Sequence, residues 1–320
     1  MVANEIPGQQ REDGDGSRGE KGEERRGKGQ QQAGKKAKTL QRKSKHCSAG
    51  GAFGLCGSHH PRALVALEYK FMASSAQVEL WHAEKVATQA TVTQAPNGIH
   101  YAMWGETRVS EPDLERLVGA VPASLSAALE NRAYYFVPLA IADTDDTMIA
   151  PGYTVDLGDR AICHRNASFG TTEAVFLSTR LVEDRFGLAF EFFINVAHNF
   201  VEAAGVPESF SVLAWLQADT QVRGETSQDA WETRRRAQDS HGNQRIIDER
   251  ARSAYYESAF SDSLAIYMLS LAVDFDYHDL RERDYPLLAA PALAERLRHV
   301  ASLFPPNQGY EFQILYRRKG

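Results

Sequence analysis

The sequence predicts an α+β protein in which a part that contains a β-sheet comes first and a mainly helical part follows. Short segments that alternate, or that are rich in aromatic and β-branched residues, are typical of strands and end near Thr179. Longer segments with helical spacing dominate from Asp184 onward. The first sixty residues contain few apolar side chains, so the folded part is expected to begin near Ala63.

Residues 1–62 are predicted to be a disordered basic tail, and residues 63–320 a single α+β domain. The tail is rich in Gly, Gln, Lys, Arg and Glu, and cannot bury enough surface to offset the entropy of ordering. Residues 1–71 hold 14 Lys and Arg and 8 Asp and Glu, a net charge of +6, whereas the remaining residues carry −12. Met72 opens a run that resembles ordinary folded protein, which makes it an alternative start of translation.

The composition predicts a soluble, cytoplasmic protein that does not enter a membrane. Three cysteines in 320 residues argue against a disulfide framework and favour a reducing compartment. The apolar runs are too short to cross a bilayer, and no signal peptide is visible. The basic charges of the tail are mixed with acids and lack interleaved aromatic residues, which argues against a nucleic-acid partner. Other partners stay unknown.

The sheet-containing part is predicted from short segments and their turns. A hairpin is expected over residues 91–104, because Asn97-Gly98 readily adopts the positive φ of a tight turn. A helix is expected from the capping box at Ser110 to Val118, and another at 123–132. Strands are predicted at 63–71, 77–82, 134–141, 147–149 and 173–179.

The helical part is predicted to begin with a central helix at residues 184–205, which is almost wholly apolar apart from one polar line. At 100° per residue the members of this line fall within roughly 60° of one another; they are Asp184, Glu191, Asn195, His198 and Glu202. Buried carboxylates are normally paired with a cation, hydrogen-bonded or bound to metal, so the line marks a candidate site.

The rest of the helical part follows the same spacing up to the last residues. Helices are predicted at 208–220, 246–273, 277–282 and 290–303, and a final strand at 310–316. A further helix begins at a cap in residues 226–229 and ends in Arg234, Arg235 and Arg236. This basic run is expected to be a solvated end that complements the helix dipole.

The end of the central helix carries a pattern of metal ligands. His198 and Glu202 are four residues apart and therefore point the same way. The five residues from His198 to Glu202 resemble the active-site helix of zincin metallopeptidases, whose signature is His-Glu-x-x-His. Asn199 stands in place of the general base of that family and Glu202 in place of the second histidine. Because Asn cannot take a proton from a metal-bound water, the resemblance implies a degenerate, non-proteolytic member or a hydrolase with an altered site.

A second resemblance lies about 55 residues downstream. In several zincin families a later helix supplies the third ligand as a Glu, and the helix around Glu257 looks like such an element. The resemblance implies a metal site of His198, Glu202 and Glu257, with His164 as a further ligand or supporting group. One or two nitrogens and two carboxylates suit zinc, manganese or iron. Glu191 would then orient a ligand or act as the base through a water.

A simpler interpretation needs no metal. The polar line can be a solvated or ion-paired helix face, with Arg165 or Arg180 as the partner of its acids, and His164 an ordinary hydrogen-bonded histidine. The protein would then be a non-catalytic scaffold or interaction domain in which the helices merely pack. The sequence leaves both functions open.

Overall fold

The computed structural model describes residues 79–142, 146–158, 160–181, 184–238, 240–241, 244–245, 248–280 and 285–314. The predicted tail, the strand at 63–71 and the alternative start at Met72 lie outside these residues. The described part is α+β, with its two larger sheets between residues 81 and 178 and its long helices between 185 and 303, which confirms the predicted class and order. No helix in these ranges is long and apolar enough to span a membrane.

The sheet-containing part alternates short strands with short helices. In chain order its elements are β1 (Trp81–His82), α1 (Ala83–Gln89), β2 (Thr93–Gln94), β3 (His100–Met103), α2 (Glu111–Gly119), a 3-10 helix (Ala123–Leu129), β4 (Arg132–Val137), β5 (Leu139–Ala142), β6 (Thr147–Ala150), α3 (Val155–Gly158), β7 (Ala161–Ile162), β8 (His164–Phe169) and β9 (Thr172–Ser178). The predicted hairpin is present, since Thr93 pairs with Tyr101 across β2 and β3.

The larger sheet has five strands in the order β2-β3-β4-β9-β8. Strands β3, β4 and β9 are parallel, whereas β2 and β8 pair with their neighbours in antiparallel fashion. A second sheet has the order β1-β6-β5-β7. The single strand predicted at 134–141 is divided, because Pro138 stands between β4 and β5 and these two strands belong to different sheets.

The helical part follows β9 directly. Its elements are α4 (Arg185–Ala204), α5 (Glu208–Asp219), α6 (Gln228–Ala237), β10 (Ser240–His241), β11 (Gln244–Arg245), α7 (Glu249–Ala272), a 3-10 helix (Tyr277–Leu280) and α8 (Ala290–Leu303). The predicted last strand is wrong where the structure describes it, because residues 310–314 form no strand. The Tyr310 hydroxyl donates to the Arg116 carbonyl at 2.7 Å, and Phe312 packs on Tyr267.

Helix α4 is part of the main hydrophobic core, as its apolar sequence predicts. Asp184 caps its first turn by accepting from the Gly187 amide at 2.6 Å. One side of the helix packs on the five-stranded sheet, where Phe192 contacts Tyr134 edge to face. Another side packs on α7, where Phe200 meets Phe260 with ring centroids 6.2 Å apart. Side chains of α4, α7 and this face of the sheet thus share one core.

Candidate functional site

Two members of the predicted site meet at the edge of the sheet. His164 is the first residue of the edge strand β8, and it lies opposite Leu177 of β9. Leu177 belongs to the core that includes α4, so alternation along the strand directs the His164 side chain toward this helix. There the imidazole Nδ1 contacts the carboxylate of Glu191. The two side chains are 30% and 20% exposed, respectively, so this pair is partly open to solvent.

The last member of the polar line, Glu202, is bound by an arginine of the sheet. Arg132 is the first residue of β4, and only 10% of its side chain is exposed. Its Nη1 donates to Asn199 Oδ1 at 2.6 Å, and its Nη2 donates to Glu202 Oε2 at 2.9 Å. The carboxylate of Glu173 lies 3.8 Å from Nη1. One guanidinium therefore holds both residues at which the helix departs from the zincin signature.

The same network continues into the core through Tyr134. Asn199, which is only 2% exposed, donates from Nδ2 to the Tyr134 hydroxyl at 3.3 Å. Burial raises the pKa of Tyr134 to about 12, although the hydrogen bond from Asn199 and the charge of Arg132 act in the opposite direction. A series of hydrogen bonds thus connects the surface of α4 to the interior of the sheet; it runs through Glu202, Arg132, Asn199 and Tyr134.

The remaining predicted ligands differ in their exposure to solvent. His198 is exposed on α4, and Glu257 is half-buried on α7. Glu202 is 69% exposed and bound to Arg132. Within the described ranges no three side chains of His, Cys, Asp or Glu lie close enough together to hold a metal ion. Among the predicted site residues His164 and Glu191 are in contact, and a metal site stays a prediction.

The ion-paired interpretation of the polar line holds for Glu202, but the predicted partners were wrong. Arg165 lies opposite Phe176 in the sheet, on the face that packs away from α4. Arg180 instead donates to the Glu106 carbonyl at 3.2 Å. Arg132 was missed in the sequence analysis. Its one signal in the sequence is a cation at the start of a strongly apolar strand, where a largely buried charge needs a partner.

The arrangement around Arg132 decides what Glu202 can do chemically. Charge-assisted hydrogen bonds between a guanidinium and a carboxylate are among the strongest polar contacts in proteins. A metal ion that used Glu202 would have to compete with this bond. It would also leave Arg132 with less negative charge around it, at a place where its side chain is largely shielded from water.

Comparison with models of known protein families gave no match, and neither did comparison with curated proteins or with solved structures. The resemblance to zincins therefore rests on the residues of α4 and α7.

Proposed function

We propose that this protein is a non-proteolytic, zincin-like binding or scaffold protein in which Arg132 takes the place that a metal ion would hold. The observation that carries the proposal is the pair of hydrogen bonds from Arg132 to Asn199 and Glu202, at 2.6 and 2.9 Å. Both residues replace catalytic groups of the family that α4 resembles.

Asn199 and Glu202 both provide what a guanidinium needs from its neighbours, which supports the proposal. A guanidinium has only donors, so the residues around it must offer acceptors. Asn199 supplies a neutral acceptor in a buried position and still has an amide to donate to Tyr134. Glu202 supplies a negative charge at the rim, where its carboxylate also reaches water. A histidine at position 202 would supply no negative charge to Arg132.

The packing of the two helices also supports the resemblance itself. Helices α4 and α7, which carry His198 and Glu257, lie against each other through Phe200 and Phe260. This is the pair of elements on which the likeness to zincins rests. In the proposed function α4 and α7 stabilise the fold and do not catalyse a reaction, because Asn199 has no carboxylate to act as a general base.

Metal analysis separates this proposal from an altered metallohydrolase. The protein is dialysed against excess zinc or manganese, then against buffer, and its metal content is measured. We expect less than stoichiometric metal and no change in His198→Ala. One ion per chain that is lost in His198→Ala and in Glu202→Gln, but kept in the control Glu232→Gln on α6, would overturn the proposal.

A stability measurement tests the role given to Arg132. We expect Arg132→Gln to lower the free energy of unfolding by about 1–3 kcal/mol, because the buried Asn199 Oδ1 loses the charged donor that it accepts from. The matched control is Arg185→Gln, which removes a 2.8 Å pair with Asp113 between side chains that are 69% and 50% exposed. That variant should cost less than about 1 kcal/mol. Equal losses of the free energy of unfolding in the two variants, measured by urea denaturation, would contradict the stabilising role of Arg132.

A further inference from the structure

A cavity of about 330 Å³ lies beside the first turn of α4. Arg132 contacts the opposite end of this helix, at Asn199 and Glu202. Its walls come from the loop after β3, from α2, from the residues after β9 and from the end of α7. The loops that follow β3 and β9 leave the carboxyl ends of two parallel strands that flank β4, a position where α/β sheets commonly bind ligands. The cavity shares no residue with the Arg132 network.

The charges around this cavity do not balance within the described residues. Four arginines and two aspartates line it, namely Arg108, Arg116, Arg180, Arg185, Asp113 and Asp184. Asp113 is bound by Arg185 at 2.8 Å, and Asp184 caps α4. The other three arginines form no ion pair with a described carboxylate. This local positive excess stands out in a chain whose net charge is −6.

Arg180 is the unusual member of this group because it is only 7% exposed. Its Nη1 donates to the Glu106 carbonyl at 3.2 Å, and its guanidinium lies 5.5 Å from the ring centroid of Tyr153. Within the described residues its side chain makes no other hydrogen bond, although none of its nitrogens is both fully buried and unpartnered. A buried guanidinium without a counter-charge is costly, which favours an anion beside it.

The rest of the lining indicates which anion fits. Apolar side chains make up most of the other walls; they are Val109, Leu117, Leu188, Ala189, Ala272 and Val273. A guanidinium matches the two oxygens of a carboxylate in a forked geometry, whereas the apolar walls match a hydrocarbon body. We propose that this cavity binds a small organic carboxylate with an apolar body.

Calorimetry with three probes tests the ligand class: 4-methylpentanoate, the neutral 4-methylpentanamide and inorganic phosphate. We expect the carboxylate to bind at least about tenfold more tightly than the amide, since hydrogen bonds to charged groups exceed neutral ones. Phosphate should bind more weakly than the carboxylate, because it has no apolar body. Equal binding of acid and amide, preference for phosphate, or no binding of the carboxylate at millimolar concentration would each overturn the proposal.

Three variants locate the binding on the protein. Arg180→Gln should weaken carboxylate binding at least about tenfold, and the exposed Arg116→Gln, which is not expected to affect folding, should weaken it several-fold. Arg235→Gln on α6 removes an exposed arginine outside the cavity and should leave binding unchanged. Unchanged affinity in Arg116→Gln and in a folded Arg180→Gln would contradict the site. None of these outcomes bears on the metal content that tests the Arg132 proposal.

Discussion

At the start of β4, two neighbouring side chains show how burial sets the chemistry of single residues. The charge of Arg132 is compensated, because Asn199 and Glu202 accept hydrogen bonds from its N–H groups. Tyr134, two positions along, is completely buried, and burial raises its pKa to about 12. The phenol is thus held in its neutral form over a wider pH range than an exposed tyrosine.

The raised pKa of Tyr134 makes part of the stability depend on pH. The folded pKa of about 12 lies above the unfolded value of 10.0, so this contribution is fully present below pH 10 and is lost as pH rises through 12. When the pH is raised from about 9 to about 12, the free energy of unfolding should fall in both proteins. The decrease should be about 2 kcal/mol smaller in Tyr134→Phe than in the wild type.

Urea denaturation across this pH range measures the effect. At pH 7 the same variant should cost about 1 kcal/mol, because Asn199 loses the hydroxyl that accepts its N–H. Tyr153→Phe, at a ring that is 39% exposed, provides the control and should follow the wild-type pH profile. If the free energy of unfolding of Tyr134→Phe fell with pH in parallel with that of the wild type, the raised pKa of Tyr134 would be refuted.

The sequence could indicate the residues of the polar line but not their partners. Glu191, His198 and Glu202 follow from helical spacing alone. Arg132 is 70 residues before Glu202, and its position depends on where β4 starts within a parallel sheet. Contacts of this kind arise from strand register, which a single sequence does not contain.

At the scale of elements, predictions succeeded where local signals set the boundaries. Helix α4 spans Arg185–Ala204, with Asp184 and Gly205 as its caps, and α8 has the predicted limits. The strand predicted at the C-terminal end was wrong because its aromatic residues pack on the core without a neighbouring strand. Tyr310 and Phe312 are half-buried against α2 and α7, respectively.

The loop between α5 and α6 depends on a glycine. Gly224 has φ +80, and a Cβ there would lie 2.2 Å from the Leu287 carbonyl oxygen. The adjacent Glu225 amide donates to the Pro286 carbonyl at 3.0 Å, so this close approach ties the loop to the segment before α8. The sequence alone gives no reason to expect that contact.

Gly224→Ala tests the close approach. Gly205→Ala is the matched control, because Gly205 has φ +77 but open space around the added Cβ. The control should cost about 1–3 kcal/mol from backbone strain. Gly224→Ala should cost at least about 1 kcal/mol more, because it adds a collision with backbone atoms. Equal losses in chemical denaturation would show that the loop can move away.

At the scale of the whole molecule, a buried polar cluster joins the four helices α5 to α8. Glu225 is fully buried and bound by Arg234 and Arg296 at 3.0 and 2.8 Å. Tyr255 donates to the same carboxylate, and Gln217 accepts from Arg296 Nε. The prediction that Arg234 belongs to a solvated helix end was therefore wrong, although Arg235 and Arg236 are exposed.

Removal of the charge on Glu225 should affect the entire helical part. We expect Glu225→Gln to lower the free energy of unfolding by about 3–5 kcal/mol, since it leaves two buried guanidinium groups without a counter-charge. Glu232→Gln removes an exposed pair with Arg236 at 3.2 Å and should cost less than about 0.5 kcal/mol. A small effect of Glu225→Gln on thermal unfolding would mean that water enters the cluster.

The position of Arg132 sets the order in which a peptidase-like centre would have to be engineered into this scaffold. Placing Glu at 199 and His at 202 would put a buried acid on one side of the fixed cation and an imidazole on the other. The guanidinium would also repel a metal dication from that imidazole, so an ion could bind there only after Arg132 had gone. An engineer would therefore begin on the strand, by exchanging Arg132 for a neutral residue, and reach the helix last.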